Sequence, residues 1–508
     1  MSLVIFLLWL VSTPFFALSS QPITPPEGFL LSCGDSIEQT VGSLQFVPDN
    51  GFTTYGNTTT LQAPGLFPIL STLRFFTERA RKYCYSFNVT NGGKYLVRTT
   101  YFYGGFDGGT DPPVFDQIVD GTKWSVVDTA EDFANGLSSY YEIVVTASGN
   151  SLTVCLGRNN KTVSHPFISA LEVTKLDDSV YNSTDFSKFA LSTVARSNFG
   201  DDEDISFPDD QFNRMWHPFK DLNPVVVSNS SVNPQDFWNK PPTKAFSSSI
   251  TTSKGKPLEI QWPPGSLPSS RYYIALYFQD TGPNGWRLFN VSVNGNTYYE
   301  DLNVTTNGVT VYGSEWPLSG QTNITLTPRN DMPVGPVISA GEIFQIVPLA
   351  GKTFAEDAMA MEELARNFRN PPPDWIGDPC LPAENSWTGV SCSKENATRV
   401  VTLDLTSLGL SGTLSESVGN LTALQHLWLG WNELSGTIPG METLTQLQTL
   451  HLENNQFEGS IPQSLCQLPN LREIFLQNNN LDGEIPNGLH RSGLNIQVSP
   501  GNRLTKSA

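Results

Sequence analysis

Basic residues and charged residues in general are scarce in this sequence of 508 residues. Lysine and arginine total 30 against 49 aspartates and glutamates, which gives a formal net charge of −19. Nucleic-acid binding needs a basic surface, so this balance excludes nucleic acid as a partner and favours neutral or basic ones. Charged residues make up only 16% of the chain and aromatic residues 11%, a composition that excludes an intrinsically disordered protein.

Motifs of catalysis and metal binding are also missing. The chain has five histidines, and none lies in a recognisable nucleophile or zinc motif. There is no GxSxG, no HExxH and no phosphate-binding loop. The sequence therefore predicts a protein that is not an enzyme, with no catalytic residue, no metal and no cofactor.

Long hydrophobic runs are absent after the N-terminus. Leu3–Leu18 is mostly apolar but is interrupted by Pro14, and it is shorter than the ~20 residues of a membrane-spanning helix. Small residues follow at Ser19 and Ser20, as a signal-peptidase site requires. We interpret residues 1–20 as a signal peptide with no membrane span after it, and predict a secreted, extracellular protein.

Asn-x-Ser/Thr sequons and cysteines fit an extracellular chain. The sequons predict a glycoprotein, and their asparagines are Asn57, Asn88, Asn160, Asn182, Asn229, Asn290, Asn303, Asn323, Asn396 and Asn420. Of six cysteines, Cys380 and Cys392 precede the repeats described below, where a disulfide would hold a cap. Among Cys33, Cys84 and Cys155 at most one pair can form, and Cys84 could pair with either of the others. Cys466 is expected to be a free, buried thiol.

Short alternating apolar runs between turn residues fill residues 28 to about 350 and predict many β-strands. The region also repeats itself at an offset of about 170 to 177 residues, since Lys94-YLVRTTYFYGG resembles Arg271-YYIALYFQDTG. We therefore predict a mainly β protein with two β-sandwich lobes, at 21–185 and 186–350.

A helix and a leucine-rich repeat solenoid follow the lobes. Residues 353–369 have helical periodicity and a possible capping box of Thr353 and Glu356. Residues 351–395 combine this helix, a proline linker and the cysteine-capped N-terminus of the repeats, with a Gly-Asp-Pro-Cys motif at 377–380. From 396 to 508 there are about four leucine-rich repeats of 23–24 residues, whose Gly-x-Ile-Pro segments resemble the plant extracellular subtype, and Asn432, Asn455 and Asn479 are expected to form a ladder.

Two surfaces are candidate binding sites. Residues beside the inward leucines should lie on the concave face in three ladders: Asp404, Trp428, His451 and Phe475; His426, Thr449 and Glu473; and Thr406, Gly430, Glu453 and Gln477. Aromatic residues are common interface anchors, and we predict a protein-binding face in which His451 near Glu453 makes binding depend on pH. In lobe 1, Tyr101, Tyr103, Phe106 and Asp107 are candidates for carbohydrate binding, although the two tyrosines could equally be core residues.

Five segments together resemble a known family: Leu31-SCGDS, Arg81-KYCYSF, Tyr95-LVRTTYFYGGFDG, Pro166-FISALEV and Trp375-IGDPC. They resemble the extracellular part of plant malectin-like receptor kinases and receptor-like proteins. The resemblance implies tandem malectin-like β-sandwiches, related to a diglucose-binding animal lectin, followed by a short plant-type leucine-rich repeat solenoid. It also implies cell-surface signalling or cell-wall sensing.

The function expected from these observations is non-catalytic recognition at the plant cell surface. The expected partner is a receptor-kinase ectodomain or a basic peptide, and such a partner could hold the protein at the plasma membrane. Two alternatives are a lectin that binds a cell-wall oligosaccharide and a leucine-rich repeat protein that inhibits an enzyme.

Overall fold

The computed structural model describes residues 24–78, 80–228, 232–281, 286–393 and 397–506. The chain forms two β lobes followed by a repeat unit. The predicted signal peptide and the sequons at Asn229 and Asn396 lie outside the described residues.

Lobe 1 is built from short strands in which β-branched and aromatic residues alternate between core and outer positions. Its strands are β1 (Gly28–Ser32), β2 (Gln39–Val41), β3 (Leu44–Pro48), β4 (Asn57–Thr60), β5 (Thr72–Phe75), β6 (Lys82–Asn88), β7 (Lys94–Tyr101), β8 (Phe115–Val119), β9 (Thr122–Val127), β10 (Ser139–Thr146), β11 (Ser151–Gly157), β12 (Phe167–Ile168) and β13 (Ala170–Lys175). Helix α1 (Ala130–Ala134) lies between β9 and β10.

Lobe 2 repeats the arrangement with longer strands. These are β14 (Phe189–Phe199), β15 (His217–Phe219), β16 (Val225–Val227), β17 (Ser248–Thr251), β18 (Leu258–Gln261), β19 (Leu267–Phe278), β20 (Trp286–Val293), β21 (Asn296–Thr305), β22 (Val309–Gly320), β23 (Asn323–Pro328), β24 (Val337–Ile338) and β25 (Ala340–Pro348). The order β6-β11-β8-β9 in lobe 1 corresponds to β18-β23-β20-β21 in lobe 2, so the internal sequence repeat is also a structural one.

The two lobes share one sheet. An 11-stranded sheet runs β2-β3-β1-β13-β7-β10-β14-β25-β19-β22, with β15 on β14. The lobes join where β10 pairs with β14, at Ile143–Ser192 and Val144–Leu191. One face of this sheet packs against a four-stranded sheet in each lobe, and a separate apolar cluster covers its other face at the join. Each lobe is a sandwich, but the long layer is continuous through both.

A row of buried charges crosses this join. Five adjacent strands contribute residues of alternating sign, in the order Glu172, Arg98, Glu142, Arg196 and Glu342. Burial alone would raise the pKa of Glu142, but the guanidinium groups of Arg196 and Arg98 outweigh it and lower the pKa to about 2. Burial raises the pKa of Glu172, which is paired with only one of the two arginines. The row therefore links side chains of both lobes.

The repeat unit begins with helix α2 (Ala355–Asn367). Its strands are β26 (Val390–Cys392), β27 (Val400–Asp404), β28 (Ser411–Thr413), β29 (His426–Trp428), β30 (Glu433–Thr437), β31 (Thr449–His451), β32 (Gln456–Gly459), β33 (Glu473–Phe475), β34 (Asn480–Ile485), β35 (Asn495–Gln497) and β36 (Arg503–Lys506). The chain's 3₁₀ helices are Pro68–Leu70, Pro234–Asp236, Thr243–Phe246, Ala383–Asn385, Glu416–Asn420, Gln463–Gln467 and Asn487–Leu489.

The predicted asparagine ladder is confirmed and extends one repeat further. Asn432 donates to Leu405 O and Leu429 O and accepts from Leu410 N. Asn455 and Asn479 make equivalent bonds, and Asn502 does the same at the end of a further repeat. This last repeat, with β35 as its inner strand, has isoleucine and valine in place of leucine, and the sequence pattern did not reveal it.

The predicted capping box is wrong. Thr353 donates through its hydroxyl to Asp378 Oδ1 at 2.5 Å, and α2 has no side-chain cap. The helix is held instead by Asp357, which accepts from Arg399 Nε and Nη2, each at 2.9 Å, and from Val400 N at 2.8 Å. A contact that is distant in sequence has replaced the local one.

Candidate functional site

The concave face of the repeat unit is built from parallel strands in strict register. Asp404, Trp428, His451 and Phe475 are successive partners across β27, β29, β31 and β33, and Gln497 of β35 follows them. Thr402, His426, Thr449, Glu473 and Asn495 form the neighbouring ladder. The first two of the three ladders predicted from spacing are thus present, because each repeat of a solenoid places equivalent residues one strand apart.

Aromatic rings stack along the first ladder. The ring centroids of Trp428 and His451 are 5.6 Å apart with an interplanar angle of 18°, and those of His451 and Phe475 are 4.4 Å apart at 14°. His426 lies beside the indole at 5.4 Å. All four rings are half-buried. They form a flat aromatic strip that is open to the concave side.

Polar groups fix the orientation of these rings. Trp428 Nε1 donates to Thr449 Oγ1 at 2.7 Å, and His426 Nδ1 lies 2.9 Å from the same oxygen. His451 Nε2 lies 2.8 Å from Glu473 Oε1. The sequence predicted Glu453 as the acidic neighbour of His451, whereas the carboxylate that His451 contacts is that of Glu473 in the adjacent repeat.

Two acceptors beside the strip have no partner among the described residues. They are Glu453 Oε2 and Gln477 Oε1, both buried. The Glu453 carboxylate lies over Gly430, where a Cβ atom would come within 2.5 Å of Oε1. The glycine therefore leaves the space that the carboxylate fills. Since the three ladders contain no lysine or arginine, the face offers acceptors and aromatic surface but no cation.

Sequence reasoning missed Trp431 at the edge of this face. Its side chain is 62% exposed and its backbone has a φ of 59°, an unusual conformation for a bulky residue. The equivalent residues of the next two repeats are Asn454 and Asn478, which tolerate positive φ. Ser407 holds the same position in the first repeat, with a φ of 58°, so Trp431 is the one bulky residue among these four equivalents, and that departure was visible in the sequence.

The candidate carbohydrate site in lobe 1 is not formed. Tyr101 and Tyr103 are 0% and 1% exposed, and Tyr103 packs against Phe106, Phe133 and Phe167. Asp107 accepts hydrogen bonds from Tyr103 and Ser164, which hold the loop in place. No face of either tyrosine is open to a sugar, and their role is in the core.

The Gly-Asp-Pro-Cys segment fastens the repeat unit to lobe 1 through hydrogen bonds, whereas each disulfide lies within one of the two units. The disulfides are Cys84–Cys155, across β6 and β11, and the predicted Cys380–Cys392, while Cys33 is free and buried and Cys466 is free and half-buried. Lys82 donates from Nζ to Asp378 O at 2.7 Å and to Leu381 O at 3.0 Å, and its burial lowers its pKa to about 8. Sequence reasoning missed these contacts, because nothing in either segment reveals its partner.

Asparagines of the described sequons all have exposed side chains. They are Asn57, Asn88, Asn160, Asn182, Asn290, Asn303, Asn323 and Asn420. Within the residues that the structure describes, no helix is both long enough and apolar enough to cross a membrane.

Comparisons with known proteins agree with this architecture. The malectin-like domain family matches residues 31–346, and the leucine-rich repeat family matches 446–468 and 470–492. Among curated proteins of Arabidopsis thaliana, the probable receptor-like serine/threonine-protein kinase PAM74 is 30% identical over 424 residues, which cover 78% of this chain and 46% of that protein. Another leucine-rich repeat receptor-like kinase is 31% identical over 427 residues, which cover 79% and 48%. The chain thus spans about half the length of these relatives.

Solved structures give the same fold. The extracellular domain of ANXUR1 from Arabidopsis thaliana superposes with a TM-score of 0.53 at 16% identity, over 63% of this chain and 97% of that one. The plant receptor-like kinase FER, in a complex with the peptide RALF23 and the protein LLG2, superposes with a TM-score of 0.53 at 19% identity, over 64% and 96%. This chain belongs to the malectin-like domain family, and its fold is that of plant receptor-kinase extracellular domains with leucine-rich repeats attached.

Proposed function

We propose that this protein is a secreted, non-catalytic recognition protein of the plant cell surface, and that its concave repeat face binds a basic peptide or a basic segment of a receptor ectodomain. The observation that carries the proposal is the half-buried, stacked strip of Trp428, His451 and Phe475, whose rings remain partly accessible on the concave face. Aromatic residues of this kind are common anchors of protein interfaces.

A basic ligand fits this face in two ways. A guanidinium or ammonium group can lie over an indole or phenyl ring and at the same time donate to a carboxylate. Asp404, Glu453 and Glu473 supply carboxylates within the three ladders, where no side chain of lysine or arginine would repel such a ligand. The net charge of −19 would favour the approach of a basic partner from a distance.

The similarity of the fold to receptor ectodomains also supports a role in recognition. FER, whose structure has the same fold, is recorded in complex with a peptide and another protein. The curated relatives are receptor-like kinases, of which this chain covers the extracellular type of region. We propose that this protein likewise recognises a peptide or a receptor, and that it does so in the apoplast.

Binding of synthetic peptides tests the proposal. Peptides of equal length that are basic, neutral or acidic are titrated against the purified full chain, against Trp428→Ala and against Trp286→Ala. Trp286 is a matched control, because it is an exposed tryptophan on lobe 2. We expect only basic peptides to bind. Trp428→Ala should weaken the free energy of binding by about 2 kcal/mol, which raises Kd about 30-fold, and Trp286→Ala should leave it unchanged. Equal binding by both variants, or no preference for basic peptides, would contradict the proposal.

A further inference from the structure

A cleft separates lobe 1 from helix α2. Its volume is about 640 Å³, within the range of ligand-binding pockets. One wall is the outer face of β6 and β11, with Ser86, Ser151 and Thr153. The opposite wall is α2, and the segment from Trp375 to Pro379 closes one end. The concave face described above does not contribute to it.

Asn88 lies beside this cleft on the same face of the sheet. Along β6, Tyr83, Tyr85 and Phe87 point into the core of lobe 1, so the alternate residues, including Ser86 and Asn88, point outward. Asn88 is paired in register with the cleft residue Ser151. Directly paired residues of antiparallel strands have Cβ atoms about 5 Å apart, so the Asn88 side chain lies next to that of the cleft residue Ser151, on the same face of the sheet.

The walls suit a sugar chain. The sheet side presents hydroxyl groups, since Ser86 Oγ and Ser151 Oγ lie 3.2 Å apart. The helix side presents Ala358 and Ala365, whose small side chains leave a shallow apolar surface, and near them the charged residues Glu362 and Arg366. A pyranose has apolar ring faces and a rim of hydroxyl groups, and it can contact both walls at once.

Asn88 begins the sequon Asn88-Val89-Thr90, and its side chain is exposed. We propose that an N-linked glycan on Asn88 lies in this cleft, with its first sugars packed between lobe 1 and α2, and that it holds the repeat unit against the lobe. The inference rests on the proposed function in one respect, since it requires passage through the secretory route. None of Asn57, Asn88 and Asn160 lines the cleft itself, but Asn88 is paired with the lining residue Ser151, whereas the strand partner of Asn57 is Phe75, which lies outside the cleft.

Accessibility of each glycan to an enzyme tests the proposal. The full chain is secreted from cells that make only high-mannose glycans and is treated, while folded, with an endoglycosidase that cuts within the chitobiose core. Release at each asparagine is followed by mass spectrometry of peptides. We expect the glycan at Asn88 to be released about tenfold more slowly than the glycan at Asn57, because the walls of the cleft cover its chitobiose core. After denaturation the two rates should be equal.

Removal of the glycan gives a second readout. Asn88→Gln and Thr90→Ala both abolish the sequon, whereas Thr90→Ser preserves it, and Asn57→Gln removes a glycan elsewhere on the lobe. We expect amide hydrogen exchange in residues 358–366 to rise several-fold in the first two variants and to be unchanged in the other two.

Two kinds of result would overturn the inference, and they differ in what they imply for the proposed function. Equal release at Asn88 and Asn57 in the folded protein, or an empty Asn88 beside an occupied Asn57, would overturn the inference and leave the proposed function standing. Absence of glycan from every sequon of the secreted chain would overturn the inference and would also contradict the extracellular glycoprotein that the proposed function describes.

Discussion

The joint between the two lobes and the joint between lobe 1 and the repeat unit are built by different means. The first is a continuous sheet with a row of buried charges, from Glu172 to Glu342, on one face. The second is a set of hydrogen bonds to backbone groups, centred on Lys82 and Asp378, beside an open cleft. Removing a charge from a buried row leaves its partners unpaired and costs about 3–5 kcal/mol, whereas losing one buried hydrogen-bond donor costs about 1–3 kcal/mol. The comparison teaches that the lobes form one unit, to which the repeat unit is fastened more weakly.

Arg196→Met should cause the largest decrease in the free energy of unfolding. Arg196 contacts Glu142 and Glu342, and its removal leaves both carboxylates short of a cation in a buried site. We expect the free energy of unfolding to fall by about 3–5 kcal/mol, with both lobes affected together. Denaturant titration measures the free energy of unfolding, and Arg329→Met, which breaks an exposed pair with Asp331, is the control for which no measurable loss is expected. Similar losses in the two variants would contradict the account.

Acid should weaken the same row. The pKa of Glu142 is about 2 in the folded chain, below its ordinary 4.5, so its stabilising contribution is complete above pH 4.5 and is lost as the pH falls toward 2. Glu172 has a raised pKa, which acts in the opposite direction and offsets part of the loss. We expect the free energy of unfolding to decrease by at most about 3 kcal/mol as the pH falls from 4.5 toward 2, and denaturant titration at successive pH values measures it.

Glu142→Gln is the variant that isolates this effect. Without the Glu142 carboxylate, the dependence of the free energy of unfolding on pH should be shallower between pH 4.5 and 2. If the variant and the parent chain show the same slope, Glu142 is not the responsible group.

Lys82→Met should loosen only the second joint. The substitution deprives Asp378 O and Leu381 O of a buried donor, at a cost of about 1–3 kcal/mol that acts on docking and not on the lobes. We expect faster hydrogen exchange in residues 374–387 and a larger radius of gyration by X-ray scattering, with unchanged melting of the lobes. Lys123→Met, at a half-exposed lysine paired with Asp116, should change neither quantity. Cooperative loss of the lobes in Lys82→Met would show that the two joints are equivalent.

Prediction from sequence worked where spacing maps directly onto space. A repeat of 23–24 residues places Trp428, His451 and Phe475 one strand apart, and the structure brings their rings together. The same logic gave the asparagine ladder. The family was predictable from the resemblance of five short segments, and the two sandwich lobes were predictable because strand composition and the offset repeat can be read directly from the sequence.

Prediction failed where a contact joins distant segments. Nothing near Thr353 shows that its hydroxyl binds Asp378 and not the helix that follows. Nothing near Tyr103 shows that Phe106, Phe133 and Phe167 cover its ring. The pairing of β10 with β14 joins one layer of each sandwich into a single sheet. Such pairing of edge strands depends on tertiary packing and cannot be read from the local sequence pattern.

Site-directed photo-crosslinking tests the central claim most directly. A photo-crosslinking residue replaces Phe475 on the concave face or, as a control, Val163, which is 78% exposed on lobe 1. The secreted chain is applied to intact plant plasma membranes and irradiated, and adducts are identified by mass spectrometry. The account predicts adducts with a basic peptide or ectodomain segment at position 475, which excess synthetic basic peptide suppresses, and none at position 163. Adducts formed only at 163, or equally at both positions, would contradict it.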